Sequence, residues 1–130
     1  MIVKTALMCL ALNIYHEARD QPIQGQISVA EVTLNRVASK HYPDDVCSVV
    51  FQRTKKTCQF SWTCGNKINP YEKNAWEKSQ GLAELMLETD GHHPSVVGKR
   101  VTHYHANYVK PYWASSLIRV AQVGDHIFYK

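Results

Sequence analysis

No stretch of this sequence holds the roughly 20 consecutive apolar residues that span a bilayer. Nor do its basic residues condense into the dense run typical of a nucleic-acid-binding arm. Lys4, Arg36, Lys40, Lys55, Lys56, Lys67, Lys73, Lys99, Arg100 and Lys110 are spread along the chain, and most of them read as solvated surface. Neither membrane insertion nor nucleic-acid binding is expected. Internal repeats and low-complexity segments are missing too. What is present is a globular composition, 45% hydrophobic and 20% charged with a net charge of +4. The 130 residues fit a single domain, 1–130, because one core organises about 100 to 200 residues. A monomer is expected, and its modest positive balance favours contact with a polyanion; on charge alone cell wall, nucleic acid and membrane surface all stay open.

Residues 1–12 combine Lys4 with a short apolar stretch and so superficially resemble a signal peptide. Cleavage there would remove the first helix from residues 13–19, so no export signal is expected in this sequence. Four cysteines, Cys9, Cys47, Cys58 and Cys64, allow three pairings and select none. Cys9 lies in an apolar run where a buried reduced thiol is expected. Cys58 and Cys64 are close enough to bridge a short loop in an oxidising compartment. With His103 and His105 these two have the residue types of a Cys2His2 zinc site. Structural zinc sites use Cys pairs about two to four residues apart and His pairs about three to five apart, and neither spacing occurs. No metal and no cofactor are expected.

Residues 4–17 lack Gly and Pro and predict a buried first helix. Asp20 is expected to cap a second helix, residues 23–39, with Pro22 in its first turn. At 3.6 residues per turn that helix carries Ile23, Ile27, Ala30, Leu34 and Val37 on one face and Val29 and Val32 on another. Between them runs a thin polar seam, Gln24, Ser28, Glu31 and Asn35, expected to face a cleft. A short apolar stretch, 46–51, leads to a polar loop containing Gln59, Phe60, Ser61 and Trp62. Residues 70–88 predict a third helix with Trp76, Leu82, Leu85 and Met86 in the core, ended by the cluster 89–94. Residues 101–112 show a partial strand signal, and 118–129, broken at Gly124 and Asp125, a short hairpin.

The segment Asn13-Ile14-Tyr15-His16-Glu17-Ala18-Arg19 places a carboxyl group at the end of a buried helix. Desolvation there raises its pKa and keeps it protonated, as a general acid requires. By position alone, a Glu at a helix end is more often solvated or paired with an Arg such as Arg19.

Several ordered motifs add to that reading. Tyr15-His16-Glu17-Ala18-Arg19, Gly25-Gln26 with Val29-Ala30, Leu34-Asn35-Arg36-Val37, Tyr42-Pro43 with Val46-Cys47 and Val49-Val50, and Cys58-Gln59-Phe60-Ser61-Trp62 resemble the spore-cortex-lytic (SleB-type) cell-wall hydrolases. Thr102-His103-Tyr104-His105-Ala106, Pro111-Tyr112-Trp113-Ala114 and Gly124-Asp125-His126-Ile127-Phe128-Tyr129 continue the match in order. The resemblance implies an α+β, mainly helical, lysozyme-like catalytic domain with a small β element near residues 100–129. It implies cleavage between N-acetylmuramic acid and N-acetylglucosamine, with peptidoglycan as partner and Glu17 as the catalytic acid. Gln59, Phe60, Ser61 and Tyr104 map onto groove-lining positions, and His105 is expected beside them. His16 and Asp20 depart from the family pattern, which often has Gly or another residue there; both flank the acid and bear on its tuning.

Glycosidases that hydrolyse use two carboxylates, roughly 5 to 5.5 Å apart if retaining and 6.5 to 9.5 Å if inverting. Glu31, on the polar seam, is the other acid expected near the cleft. A lytic transglycosylase works with one carboxyl, which protonates the leaving oxygen and then deprotonates the muramic 6-hydroxyl as it attacks its own anomeric carbon. The single-acid route, giving 1,6-anhydro ends, is the favoured expectation. The alternatives are a hydrolytic muramidase using Glu17 with Glu31 and a non-catalytic glycan-binding module; Glu31 is expected among the substrate-binding residues. Glu31 also has a structural reading, a hydrogen bond to Asn35 or a neighbouring turn. Of the aromatic residues Trp62, Tyr104, Tyr108, Tyr112 and Trp113, Tyr104 is expected in the groove and Trp113 in packing. The setting expected is host-cell lysis, as by a phage endolysin, or wall remodelling. The protein is expected to be made in the cytoplasm and to act on the wall after release.

Overall fold

The computed structural model describes residues 5–89, 92 and 95–130. Four α-helices, α1 (Ala6–Ala18), α2 (Ile23–Ala38), α3 (Val46–Val50) and α4 (Lys73–Glu88), precede three strands, β1 (His103–Ala106), β2 (Arg119–Val123) and β3 (His126–Tyr129). The fold is therefore mainly helical α+β, as expected.

α1 starts where the Thr5 side chain accepts the Met8 N–H at 3.1 Å, satisfying one of the donors every helix start leaves open. α2 begins without the expected cap. Its N-cap is Pro22, which has no side-chain capping bond, while Asp20 lies two residues too early and accepts from the Gln21 amide. The stretch expected only to be apolar forms α3, capped by Asp45 on the Ser48 N–H. α4 starts at Lys73 rather than residue 70, and its buried side chains are Ser79, Leu82, Ala83 and Met86. Leu85, expected in the core, is 53% exposed because it falls off that stripe. Thr89 ends α4 with its N–H on the Leu85 carbonyl. The remainder of the predicted terminator, residues 90, 91, 93 and 94, and residues 1–4 lie outside the described residues.

The two faces predicted for α2 serve two cores. Ala30 and Leu34, with Ile27 and Val37 alongside, join Leu10, Ile14, Val50 and Met86 in the helical core. Val29 and Val32 join Ala18, Val97, Val101 and Phe128 beneath the sheet. Ile23, assigned to the first face, is exposed instead, at the first position of the helix. α1 contributes Leu10 and Ile14 to one core and Ala18 to the other, so its last turn lies where helices and sheet meet.

The sheet is antiparallel with order β1-β3-β2, β3 pairing Ala106 with His126 on one side and Val123 with His126 on the other. Gly124 makes the turn between β2 and β3 at φ 58, a left-handed conformation that glycine adopts without penalty. Gln21 clamps that turn to the α1–α2 connection: its Oε1 accepts the Asp125 N–H at 2.8 Å and its Nε2 donates to Asp125 Oδ2 at 3.1 Å.

Cys9 is not a free thiol. It is bonded to Cys47 with Cα atoms 5.2 Å apart, because α3 packs on α1. Cys58 pairs with Cys64, the short bridge the sequence allowed; both sulfurs are thereby occupied.

Candidate active site

Two cavities, of about 460 and 520 Å³, meet at the end of α1, and His16, Glu17, Ala106, Tyr108 and His126 line both. The first continues along Arg19, Asp20, Glu72 and Asp125. The second continues along Gln59, Phe60, Ser61, Tyr104 and His105. Together they form a groove with Glu17 at its middle.

The Tyr104 hydroxyl donates to Glu17 Oε1 at 2.6 Å, which leaves Oε2 as the oxygen available to a ligand. Burial raises the Glu17 pKa above its ordinary value, while the Tyr104 hydrogen bond and the Arg36 charge pull it down. Burial and the adjacent Glu17 raise the Tyr104 phenol well above its own ordinary range, so it remains a donor throughout the neutral range. The arrangement is that of a general acid: a carboxyl that keeps its proton above the usual range, with one oxygen anchored and the other open. Replacing Tyr104 with Phe removes a bond that favours the ionised form. We expect about a tenfold loss in kcat/KM, with the alkaline limb of the pH–rate profile moving to higher pH; an unmoved limb would show that Glu17 does not set it.

The turn carrying Glu17 is held from several sides. His16 Nε2 donates to the Ile68 carbonyl at 2.7 Å and its ring stacks on Trp62, centroids 4.5 Å apart. Trp62 Nε1 donates to Asn13 Oδ1 at 3.2 Å, and Asn13 Nδ2 donates to Thr33 at 3.1 Å. This buried chain joins α1, α2 and the Cys58–Cys64 loop, so Trp62 is a structural residue rather than a sugar platform. Tyr15 accepts the N–H groups of Tyr71 and Glu72 at 3.1 and 3.0 Å, anchoring the approach to α4. Arg19 forms an ion pair with Glu72 and donates to the Tyr71 hydroxyl at 3.3 Å.

The structure brings Glu17, Gln59, Phe60, Ser61, Tyr104 and His105 together and separates Glu31 from them. Glu31 lines neither cavity. Its Oε2 accepts from Ser95 Oγ at 2.5 Å and its Oε1 from the Val96 N–H at 2.6 Å. Asn35, next on the seam, donates to the Gly98 and Val101 carbonyls at 2.9 and 2.8 Å. The C-terminal half of the seam expected to face a cleft, Glu31 and Asn35, thus binds the segment 95–101, while Ser28 bonds back to Gln24 within the helix; Glu31, expected to contact substrate, lies outside both cavities. His105 hydrogen-bonds through Nε2 with the Tyr129 hydroxyl at 2.8 Å, and Trp113 packs on His103, His105 and Tyr129.

Two residues around Glu17, Arg36 behind it and His126 in the groove, escape the sequence reading. Arg36, read as a surface cation, is only 2% exposed; its Nε donates to the Thr102 carbonyl at 2.8 Å and its charge reaches Glu17 and Tyr104. Its place in the Leu34-Asn35-Arg36-Val37 motif was the available signal. Tyr108, already among the aromatic residues named from the sequence, is 84% exposed and stands at the rim of both cavities. His126 lines both as well, and only its place in the last motif marks it.

The sequence signature of the Cell Wall Hydrolase family matches residues 20–129. The chain belongs to that family. The match begins three residues after Glu17 and takes in the groove residues from Asp20 onward. Similar to the chain are the spore cortex-lytic enzymes of Bacillus subtilis, 44% identical over 120 residues, 92% of this chain and 35% of that protein, and of Oceanobacillus iheyensis, 29% identical over 126 residues, 95% of this chain and 41% of that protein. The chain thus spans less than half the length of these relatives. Among solved structures it is similar to the catalytic domain of the germination-specific lytic transglycosylase SleB from Bacillus anthracis, with TM-score 0.74 and 25% identity over 99% of this chain and 97% of that one. Membership places this groove within a family named for action on the cell wall.

Proposed function

We propose that this chain is a peptidoglycan lytic transglycosylase domain, cutting between N-acetylmuramic acid and N-acetylglucosamine with Glu17 as acid and then base. The observation that carries the reading is the position of Glu17, its carboxyl pushed by burial towards keeping its proton and one oxygen open, where two cavities meet. A polymer needs room on both sides of the bond that breaks. Glu17 Oε2 gives its proton to the glycosidic oxygen, the C1–O bond breaks, and the N-acetylglucosamine unit leaves as an alcohol. The ionised carboxyl then takes the proton of the muramic 6-hydroxyl as that oxygen bonds to C1. The net result is one strand cut and one 1,6-anhydro end, with no water consumed.

The hydrolytic alternative with Glu31 loses support, because both Glu31 oxygens are engaged by residues 95 and 96. The similarity to a named lytic transglycosylase supports the single-acid route. We further assign the domain to wall remodelling or host-cell lysis, as a monomer that acts on the wall after release from the cytoplasm. The two disulfides support work in an oxidising setting.

Digestion of purified peptidoglycan followed by mass spectrometry of the muropeptides tests the chemistry. Products lighter by one water than hydrolytic fragments are expected. Reducing ends would mean hydrolysis, and uncut glycan that still binds would mean a binding module.

A further inference from the structure

His126 is a buried polar residue without a visible purpose. It opens β3, the central strand, and is fixed there by pairing on both sides. Only 8% of it is exposed. Its ring meets Tyr104 edge-on, centroids 5.2 Å apart, and it lines both halves of the groove. Yet Nδ1 is buried with no hydrogen-bond partner among the described residues. Buried polar groups are nearly always paired, and an unpaired one costs about 1–3 kcal/mol. Along the same strand face, Phe128 fills the core. An apolar side chain at 126 would avoid that cost.

The unpaired nitrogen fixes the state of the ring. A buried N–H without an acceptor is less tolerable than a bare lone pair, so the proton sits on Nε2, the nitrogen left to serve the groove. Protonating the ring would place a second N–H at Nδ1 with nothing to receive it. Burial accordingly lowers the affinity of His126 for a proton, as does His105, against the pull of Asp20 and Asp125. The groove therefore meets a neutral N–H donor on a rigid strand. Its surroundings at one end, Asp20 and Asp125 beside the ion-paired Arg19 and Glu72, carry a net negative charge and disfavour an anionic ligand group, which leaves a neutral acceptor as the complement.

We infer that His126 is a substrate-binding residue whose Nε2–H receives the carbonyl oxygen of an acetamido group on the sugar beside Glu17. The inference rests on the glycan reading of the groove and specifies which sugar substituent it reads. N-acetylation of the strand is then a condition for tight binding, through one bond made at the junction of the two cavities.

Calorimetric titration separates this from a structural role. The probes are peptide-free glycan strands, fully N-acetylated or chemically de-N-acetylated, and the parent protein is Glu17→Gln, which holds strands without cutting them. Adding His126→Phe is expected to weaken binding of acetylated strands roughly tenfold and to leave binding of de-N-acetylated strands at the parent's value. His126→Gln, which keeps a neutral donor, is expected to recover most of the affinity. If the Phe variant does not fold, as judged by its thermal melt, His126→Leu provides the same comparison. Equal binding by variant and parent, or equal weakening on both strands, overturns the inference, as does a parent that binds neither. If the binding pattern holds but the protein with Glu17 intact cuts no peptidoglycan, the cleavage reading falls alone. If it cuts and the His126 variants bind as the parent does, the His126 inference falls alone.

Discussion

Glu17→Gln is expected to lose on the order of 10²–10⁴-fold in glycan cleavage, the range a general acid contributes, while melting at a higher temperature than the parent at neutral pH. Both effects come from one cause. Burial raises the Glu17 pKa, so the folded protein holds this proton more tightly than the unfolded chain does. Below the ordinary value of 4.5 both states are protonated and the group costs nothing. As pH rises through that value the unfolded chain ionises first, and stability falls until the folded carboxyl has ionised too. A glutamine, always neutral, escapes the penalty and still accepts the Tyr104 hydroxyl. Melting curves of both proteins should therefore converge near pH 4 and separate by pH 7, with the variant the more stable. Identical separations at both pH values would show that burial does not strain this carboxyl, and retained cleavage would remove Glu17 from the mechanism.

Loss of the Cys9–Cys47 bridge is the second large effect. The cysteines are 38 residues apart, and closing a loop of that size in the unfolded chain is worth about 3–4 kcal/mol. For a domain of this size that corresponds to roughly 10–15 °C in Tm. The paired Cys9→Ala, Cys47→Ala variant should show this drop with its KM little changed, since neither residue lines the groove. The Cys58–Cys64 pair, only 6 residues apart, should behave in the opposite way. Its loop carries Gln59, Phe60 and Ser61 into the groove, so replacing both with Ser should raise KM with a smaller loss of Tm. Equal effects on Tm from the two pairs would contradict this division.

Much of the fold could be read from local pattern. The apolar positions of α2 identified two separate faces, and the structure buries each in its own core. What periodicity could not say is what lay opposite the thin seam between them. Glu31 and Asn35 look like cleft residues because a polar strip between apolar faces needs a polar partner. That partner is the segment 95–101, more than sixty residues away in sequence. Arg36 was misjudged for a related reason: a guanidinium can be buried when a backbone carbonyl such as that of Thr102 receives it, and no local pattern announces that carbonyl. The Cys9–Cys47 bridge was missed on the same ground, as α3 must be seen against α1 before the two meet, whereas the Cys58–Cys64 bridge needs only the short loop between them. The groove residues were accessible only through the ordered motifs, since nothing local to Gln59 or Tyr104 points at Glu17.

The place of Glu17 in α1 has one more consequence. The helix ends at Ala18, so the acid occupies its final turn, where the aligned peptide dipoles give the helix a partial negative charge of about half an electron. A carboxylate there is repelled by the helix that carries it, and a neutral carboxyl is not. This preference is built into the backbone and acts over the length of a turn, independent of whether sugar or water fills the groove. Glu17 is thereby inclined to hold its proton before substrate arrives and to take one back after the strand is cut, so each catalytic cycle returns to the same starting form.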